Sequence, residues 1–181
     1  MDITNPGKIA PYVFILESIL AKSRYTKFAD VIGLRGDETV LEFGCGWGAG
    51  ARALAERLPK GKLICFDIST EWIAVTKRRL KIFSNVRFIL GDITKLAPEE
   101  NCADIITIHY VLHDIPQPQR IPVMTALVKW LKPDGRIVLK EPTKKNHGMP
   151  AEEIRAIMKQ VGLKESKWKE EKGRAEGVFE R

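Results

Sequence analysis

The chain has 181 residues, of which 44% are hydrophobic and 29% are charged, a composition typical of one globular domain. No apolar run approaches the ~20 residues that a membrane-spanning helix needs, and the first residues lack the basic and apolar parts of a signal peptide. The three cysteines show neither a disulfide nor a metal-binding pattern, so we expect reduced thiols. These features predict a cytoplasmic protein with no membrane span.

A formal net charge of +7 raises the question of nucleic-acid binding. The basic excess falls in two separate segments, 76–95 and 120–147, and the sequence contains no motif that reads bases. The densest cluster comprises four basic residues: Lys77, Arg78, Arg79 and Lys81. A solvated helix face is the favoured interpretation of this cluster, and a surface that binds a polyanion is the alternative.

Hydrophobic periodicity and turn residues predict helices and strands along the whole chain. Two helices, at 6–22 and 26–32, are expected to form an amino-terminal cover that ends near residue 36. Tyr12 and Tyr25 of this cover either pack against neighbouring elements or line a site. The later elements are, in chain order, strand Thr39–Phe43, helix 49–58, strand 62–67, helix 70–83, strand Val86–Leu90, strand 103–108, helix 118–131, a turn at 132–135, strand 136–139, a charged loop at 143–149, helix 150–161, and strands 163–169 and 174–179 joined as a hairpin.

Strands that alternate with helices over residues 37–181 predict an α/β fold with a parallel sheet and helices on both faces. The closing hairpin implies that one edge strand runs antiparallel. No internal repeat or low-complexity segment divides this region, so we expect residues 1–181 to form a single domain with its cover at 1–36.

Three glycines at alternate positions follow the first strand and precede a helix. Gly44, Gly46 and Gly48 can adopt positive φ and let backbone N–H groups approach a ligand, and the helix amino terminus adds partial positive charge. Asp67 ends the next strand about 20 residues later, where a carboxylate binds ribose hydroxyls in dinucleotide folds. The pattern predicts a nucleotide-binding crevice. Because Ala49 completes a dinucleotide fingerprint with two of these glycines, a small NAD-binding oxidoreductase is one interpretation.

The segment 42–48 (E-F-G-C-G-W-G) resembles the first motif of the class I S-adenosylmethionine-dependent methyltransferases, E/D-x-G-x-G-x-G, at every fixed position. The segment 131–136 (L-K-P-D-G-R) is similar to the approach to the fifth strand of that family. The resemblance covers residues 37–181 and implies a doubly wound, seven-stranded, mostly parallel sheet in the order 3-2-1-4-5-7-6. Glu42, the Gly91-Asp92 pair and the lack of length for a second domain favour this family over the NAD enzymes.

The resemblance implies S-adenosylmethionine as the methyl donor and S-adenosylhomocysteine as its product. The region around Glu42 and Gly44 would hold the methionine end of the donor, Asp67 the ribose, and Asp92 and Ile93 the adenine. The complete set of implied donor-binding residues is Glu42, Gly44, Gly46, Gly48, Asp67, Ile68, Gly91, Asp92, Ile93 and His109. Trp47 either walls this crevice or seats the helix that follows it.

Methyl transfer from a sulfonium releases a neutral thioether, so a base is needed only if the acceptor carries a proton that must leave. Candidate catalytic residues must lie at the carboxyl ends of strands four and five, where open α/β sheets bind their ligands. The four candidates by this criterion are His109, Tyr110, His113 and Glu141.

These candidates also have structural interpretations. His113 could begin the following helix, and Glu141 could pair with Lys140 or Lys144. His109 and His113 would share one helix face if this segment were helical, but no third ligand is indicated, so we expect no metal site.

The acceptor is expected to be a small molecule, because the chain has no appended domain to grip a macromolecule. One alternative is a methyltransferase that acts on RNA, protein or a lipid headgroup through the basic cluster. Another is a binding module that keeps the donor site without the chemistry.

Overall fold

The computed structural model describes residues 22–181, which belong to two compact units divided after Asp92. Tyr12 and all but the last residue of the predicted helix at 6–22 lie outside the described residues, and the helix predicted at 26–32 already begins at Lys22. The first unit contains α1 (Lys22–Ile32), β1 (Thr39–Phe43), α2 (Ala49–Ala55), β2 (Lys62–Asp67), α3 (Thr70–Arg79) and β3 (Val86–Leu90). The second unit contains β4 (Ala103–His109), a 3-10 helix (Leu112–Asp114), α4 (Gln117–Val128), β5 (Leu131–Lys144), β6 (His147–Gly148), α5 (Ala151–Gln160), β7 (Lys164–Glu171) and β8 (Arg174–Glu180).

The strands of the first unit are parallel and lie in the order β3-β2-β1. Their interiors are apolar and buried, as both faces of a parallel sheet require; Val40 and Leu41 are 0% exposed. Parallel pairing brings the carboxyl ends of the three strands to one edge, where the chain continues into Gly44, Ile68 and Gly91. The sequence predicted β1 and β3 with the bounds that the structure shows.

The helices of the first unit end earlier than the predictions at 49–58 and 70–83. After α2 the chain tightens into a turn, in which the Leu58 N–H donates to the Ala55 carbonyl over 3.3 Å. After α3 the Phe83 N–H donates to the Leu80 carbonyl over 2.9 Å. Leu58 and Leu80 remain buried beyond the helix ends, which is why the apolar spacing continued past them.

The strands of the second unit lie in the order β4-β5-β8-β7. β8 is antiparallel to both β5 and β7, so the antiparallel strand is internal and the prediction of an antiparallel edge strand was wrong. The turn between β7 and β8 matches its prediction: Lys172 and Gly173 have φ values of 53° and 73°, as a two-residue hairpin turn requires. The runs 3-2-1 and 4-5-7-6 of the expected order are therefore present, with β6 as an additional short strand.

β5 is much longer than the predicted strand at 136–139 and absorbs both flanking segments. Ala103 of β4 pairs with Leu131, whereas Ile105 pairs with Arg136, so the residues of the predicted turn at 132–135 form a bulge within the strand. At the other end, Thr143 and Lys144 pair with β6, and the prediction of a charged loop at 143–149 was wrong.

α4 ends at Val128, before the predicted end at residue 131, because the Trp130 N–H closes a turn on the Leu127 carbonyl and Leu131 already belongs to β5. The α/β class with parallel strands and a carboxyl-terminal antiparallel hairpin is confirmed. Within residues 22–181, no helix combines the length and the apolar character needed to cross a bilayer.

Candidate functional site

The glycine turn after β1 is built from left-handed backbone. Gly44, Gly46 and Gly48 have φ values of 72°, 49° and 76°. A Cβ on Gly48 would lie 2.8 Å from the Thr76 side chain, so this position lacks both the conformation and the space for another residue. Thr76 of α3 also donates from its hydroxyl to the Gly46 carbonyl over 2.6 Å, which holds the turn from the opposite side. Nothing in the sequence pattern had pointed to Thr76.

Asp67 at the end of β2 braces this turn. One carboxylate oxygen accepts from the Gly46 N–H over 2.8 Å, and the other accepts from the Ser69 N–H over 2.9 Å. Burial raises the pKa of Asp67, while the N–H groups of Ser69 and Gly46 act in the opposite direction. The Ile68 N–H also bonds this carboxylate, so three of its roughly four acceptor sites are occupied and one can still accept a hydrogen bond from a ligand hydroxyl.

Glu42 of β1 is a buried acid with one oxygen that lacks a partner in the described chain. It is 5% exposed, and its Oε2 has no hydrogen-bond partner within residues 22–181. Burial first, and the neighbouring Asp67 carboxylate second, raise the pKa of Glu42 well above its ordinary value. A Cβ on Gly50 would overlap Glu42 Oε1, so the first turn of α2 approaches this carboxyl closely. An orphaned acid beside a helix amino terminus is suited to a ligand group that carries positive charge.

Two cysteines of the same unit lie close enough to these acids to be affected by their charge. The thiols of Cys45 and Cys65 are both buried and hydrogen-bonded to each other, and this bond together with burial raises the pKa of Cys45. None of the chain's three cysteines, all of which lie in the described part, forms a disulfide.

Trp47 contacts helices on both sides of the turn. Its ring centroid lies 6.3 Å from that of Tyr25 of α1, edge-on, and 5.9 Å from that of Trp72 of α3. These contacts support packing as the role of Trp47 and of Tyr25.

Two isoleucines of the predicted donor-binding set differ in exposure. Ile93, predicted to pack on the adenine, is 3% exposed and belongs to the second unit, whereas Ile68, which follows Asp67, is 52% exposed. The Gly91 N–H donates to the Asp67 carbonyl over 3.1 Å, which places the end of β3 beside the end of β2. The adjoining Asp92 is half-buried. The first unit therefore brings Asp67, Ile68 and Gly91 together at one sheet edge.

In the second unit, β4 ends in two adjacent aromatic rings. The ring centroids of His109 and Tyr110 are 4.6 Å apart, and Tyr110 has a left-handed φ of 60°, which is unusual for a bulky residue. The Tyr110 N–H donates to the Lys140 carbonyl over 2.9 Å. The Tyr110 hydroxyl is buried and has no hydrogen-bond partner in the part of the chain that the structure describes. A strained backbone and an orphaned hydroxyl in one residue indicate a functional position.

Glu141 of β5 organises the turn that follows these rings. It is 0% exposed, and its Oε1 accepts from the N–H groups of Val111 over 2.8 Å and of Leu112 over 2.9 Å. Its Oε2 accepts from His113 Nδ1 over 2.7 Å. The alternative in which Glu141 pairs with a neighbouring lysine is wrong, and Lys140 instead pairs with Glu176.

His113 lies between two carboxylates. Its Nδ1 faces Glu141, and its Nε2 is 3.4 Å from the Asp114 carboxylate. Burial lowers the pKa of His113, but the hydrogen bond and charge of Glu141, aided by Asp114, outweigh burial and raise it. Arg120 of α4 fixes the same turn by donating to the Ile115 carbonyl over 2.9 Å. Arg120 was missed in the sequence, where nothing links it to this turn.

His109 and His113 do not share a helix face, because His109 ends β4 and His113 lies in the 3-10 helix. Across residues 22–181, no group of three or more histidine, cysteine or acidic side chains is arranged to hold a metal ion.

Similarity to known proteins agrees with this geometry. The family described as "Methyltransferase domain" matches residues 40–135. Demethylmenaquinone methyltransferase of Lactococcus lactis subsp. lactis is 31% identical over 115 residues, which are 62% of this chain and 43% of that protein. The chain spans between 27% and 45% of the length of the first curated relatives that it matches.

Two solved structures share the fold. The TehB-like SAM-dependent methyltransferase from Corynebacterium glutamicum gives a TM-score of 0.79 at 19% identity, covering 98% of this chain and 100% of that chain. The N-methyltransferase NodS from Bradyrhizobium japonicum, in complex with S-adenosyl-L-homocysteine, gives a TM-score of 0.73 at 21% identity, covering 89% and 85%. The family match over more than half of the chain, together with the glycine turn and its acids, shows that this protein belongs to the class I S-adenosylmethionine-dependent methyltransferases.

Proposed function

We propose that this protein transfers a methyl group from S-adenosylmethionine to a small-molecule acceptor. The observation that carries the proposal is Glu42, whose buried carboxyl has an orphaned oxygen at the glycine turn. The bound donor would supply a methyl group carried on a positively charged sulfur. When the methyl group leaves, the sulfur becomes a neutral thioether. The cationic amino-acid end of such a donor would provide the partner that Glu42 lacks.

The donor site that we propose follows the edge of the first unit. Glu42 and the backbone of Gly44, Gly46 and Gly48 would bind the methionine end. Asp67 would bind a ribose hydroxyl with the acceptor site that its backbone contacts leave available. By resemblance to the family, Asp92 and Ile93 would hold the adenine, and Ile68, Gly91 and the backbone of His109 complete the proposed donor-binding set. The 52% exposure of Ile68 supports it as the apolar residue that covers the ring.

On the acceptor side, the chain's main contribution would be alignment and the exclusion of water. We propose that His109 and Tyr110 touch the acceptor, because the buried Tyr110 hydroxyl has a hydrogen bond to offer. Glu141 and His113 would be positioning residues. Both ring nitrogens of His113 face carboxylates, so neither is free to take a proton from an acceptor. The same contacts hold the turn in place.

A small-molecule acceptor is supported by the relative named for demethylmenaquinone. The absence of any disulfide among the chain's three cysteines supports the cytoplasmic location that we propose.

Calorimetric titration with S-adenosylhomocysteine and with NAD tests the proposal. We expect saturable binding of S-adenosylhomocysteine, no measurable binding of NAD, and a loss of affinity of at least about tenfold in Asp67→Ala, or about 1.4 kcal/mol. The matched control is Asp37→Ala, which removes an exposed carboxylate from a surface ion pair with Arg35. Tighter binding of NAD, or unchanged affinity in Asp67→Ala with an intact fold, would contradict the proposed site.

Donor binding and chemistry are separated by a second measurement. A methyl-labelled donor incubated with a fractionated small-molecule extract should give a labelled product with the wild-type protein. Tyr110→Phe should lower the yield while leaving donor affinity unchanged. Binding of the donor with no labelled product in any fraction would favour a binding module without chemistry.

A further inference from the structure

The surface at the end of α3 in the first unit carries an uncompensated positive charge. Residues 72–91 include five Lys and Arg and no Asp or Glu. Lys77, Arg78 and Lys81 are exposed and form no ion pair with any residue of the described chain. Arg79 is different, because it is half-buried and interacts electrostatically with Arg52 and Tyr25. Three of the five positions 77–81 are therefore exposed cations.

An exposed isoleucine adjoins these cations. Ile82 is 70% exposed, more than any other large hydrophobic side chain in residues 24–181 that is classed as exposed. The helical path continues beyond α3 as far as Leu80, whose N–H donates to the Thr76 carbonyl over 2.9 Å. Lys81 and Ile82 follow directly in the turn after this path, so the three exposed cations and Ile82 lie close together along the chain. We call Lys77, Arg78, Lys81 and Ile82 the basic–apolar patch.

The cations at the helix end of this patch also have an ordinary role. Cations in the last turn of a helix interact favourably with the helix dipole, which accounts for Lys77 and Arg78. Lys77 Nζ also lies 5.8 Å from the centre of the Phe88 ring. A single exposed apolar side chain is common on protein surfaces, so Ile82 bears on binding through its position beside three exposed cations.

We propose that the basic–apolar patch docks the protein on the surface of an anionic membrane. The three cations would contact lipid phosphates and carboxylates, and Ile82 would enter the boundary between headgroups and acyl chains. A single-stranded nucleic acid would instead need exposed aromatic rings on which bases stack. The two phenylalanines of this region, Phe83 and Phe88, are half-buried, and Lys77 lies over Phe88. The proposal is independent of the methyl-donor site.

Co-sedimentation with lipid vesicles tests the patch. The full chain is mixed with vesicles of phosphatidylcholine alone and with vesicles that contain phosphatidylserine. We expect binding to the phosphatidylserine vesicles to be at least tenfold stronger, and to fall steeply as salt is raised. The triple variant Lys77→Glu, Arg78→Glu and Lys81→Glu should lose at least tenfold in affinity. Ile82→Ser, which keeps the charge, should lose severalfold.

The control removes the same charge elsewhere. Lys145, Lys164 and Lys167 are exposed and carry no ion pair with another described residue, so changing them to Glu matches the first triple variant in net charge. This control should retain most of the binding. Circular dichroism and calorimetry with S-adenosylhomocysteine show whether each variant is folded and keeps its donor site.

Three results would overturn the proposal. The first is equal binding to both kinds of vesicle, and the second is an equal loss in the two triple variants. The third is unchanged vesicle binding in Ile82→Ser together with displacement from the vesicles by an RNA oligonucleotide, which would identify a nucleic-acid surface. None of these results bears on the methyltransferase assignment, because donor binding is measured separately in the same variants.

Discussion

Glu42 is a residue that lowers the stability of the unliganded fold and should strengthen binding of a cationic ligand. Its carboxyl is buried, one oxygen lacks a partner in the described chain, and the neighbouring Asp67 adds negative charge. A buried acid of this kind keeps its proton at a pH where an exposed glutamate would be ionised. When a cationic ligand group arrives, the ionised form becomes favourable, so binding should release a proton.

Replacing Glu42 with Gln tests this coupling. In the wild type, affinity for S-adenosylhomocysteine should rise with pH until the carboxyl of the unliganded protein is already ionised. In Glu42→Gln the proton release should disappear and affinity should fall at least about tenfold. The free energy of unfolding at pH 7.5 should rise by about 1 kcal/mol, because a buried acid without a partner is removed.

The measurements are calorimetry in two buffers of different ionisation enthalpy and urea unfolding. Glu56→Gln is the control, because Glu56 is exposed and pairs with Arg52 on the surface. Proton release that persists in Glu42→Gln would assign the coupling to another group.

At the residue scale, the sequence predicted what is local and missed what is tertiary. Glu42 and Asp67 stand at fixed distances from the glycines, and strand ends bring them to one edge. Glu141 was predicted as a site residue, but its partners are N–H groups 28 to 30 positions earlier. No spacing rule reveals that relation. The exposed state of Ile68 was equally hidden, since it depends on how the chain leaves β2.

At the element scale, the predictions succeeded where each signal lies within the element. β1 and β3 are short apolar runs bounded by turn residues, and their bounds were predicted correctly. The bounds of β5 were predicted wrongly, because its ends carry charged and turn-forming residues that become strand only by pairing with other strands. β8 provides that pairing for residues 136–142, and β6 provides it for Thr143 and Lys144. Such partners lie too far along the chain for a local pattern to indicate them.

The hairpin between β5 and β6 depends on one glycine. Gly148 has a φ of 149°, and a Cβ there would overlap the Pro142 carbonyl. Gly148→Ala should therefore lower the free energy of unfolding by about 2–4 kcal/mol, from backbone strain and overlap together. Gly162→Ala is the matched control: Gly162 has a φ of 83° and nothing within 4 Å of its added Cβ. Only the strain applies there, so the loss should be about 1 kcal/mol.

Urea unfolding of the two glycine variants gives the comparison. Equal losses would mean that the close approach of Gly148 to Pro142 does not exist in solution. His147 should report on the same hairpin, because its ring lies edge-on to His113 with centroids 4.9 Å apart.

At the scale of the whole molecule, the alternation of strands and helices was sufficient to predict the fold class. The position of β8 between β5 and β7 was not predictable from the hairpin alone, because a hairpin fixes which strands pair and not which one reaches the edge. The net charge of +7 is likewise a property of the whole chain that conceals a local surface, the basic–apolar patch.

The buried titratable groups of both units bias the stability of the whole molecule in one direction. The pKa values of Glu42, Asp67 and His113 are all raised. A group with a raised pKa binds its proton more tightly in the folded chain, so its stabilising contribution is complete below its ordinary pKa and is lost as pH rises through the folded value. Glu38 acts in the opposite sense: burial opposes its charge, but the N–H groups of Arg35 and Gly36 lower its pKa.

Stability should therefore be greatest in acidic solution, near the ordinary value of 4.5 that Glu38 and Glu42 share, and should decline on both sides. On the alkaline side the raised pKa of Glu42 reduces stability first, and His113 adds to the decline from its ordinary value of 6.5 upward. Glu38 is protonated on the acid side and loses its N–H contacts. His113 loses its proton above its ordinary value of 6.5, which weakens its contact with Glu141. In His113→Gln the free energy of unfolding should be lower overall, but its decline between pH 6.5 and 8.5 should be shallower than in the wild type. If urea unfolding across this range gave one slope for the wild type and His113→Gln, the Glu141–His113 contact would not be the group that titrates.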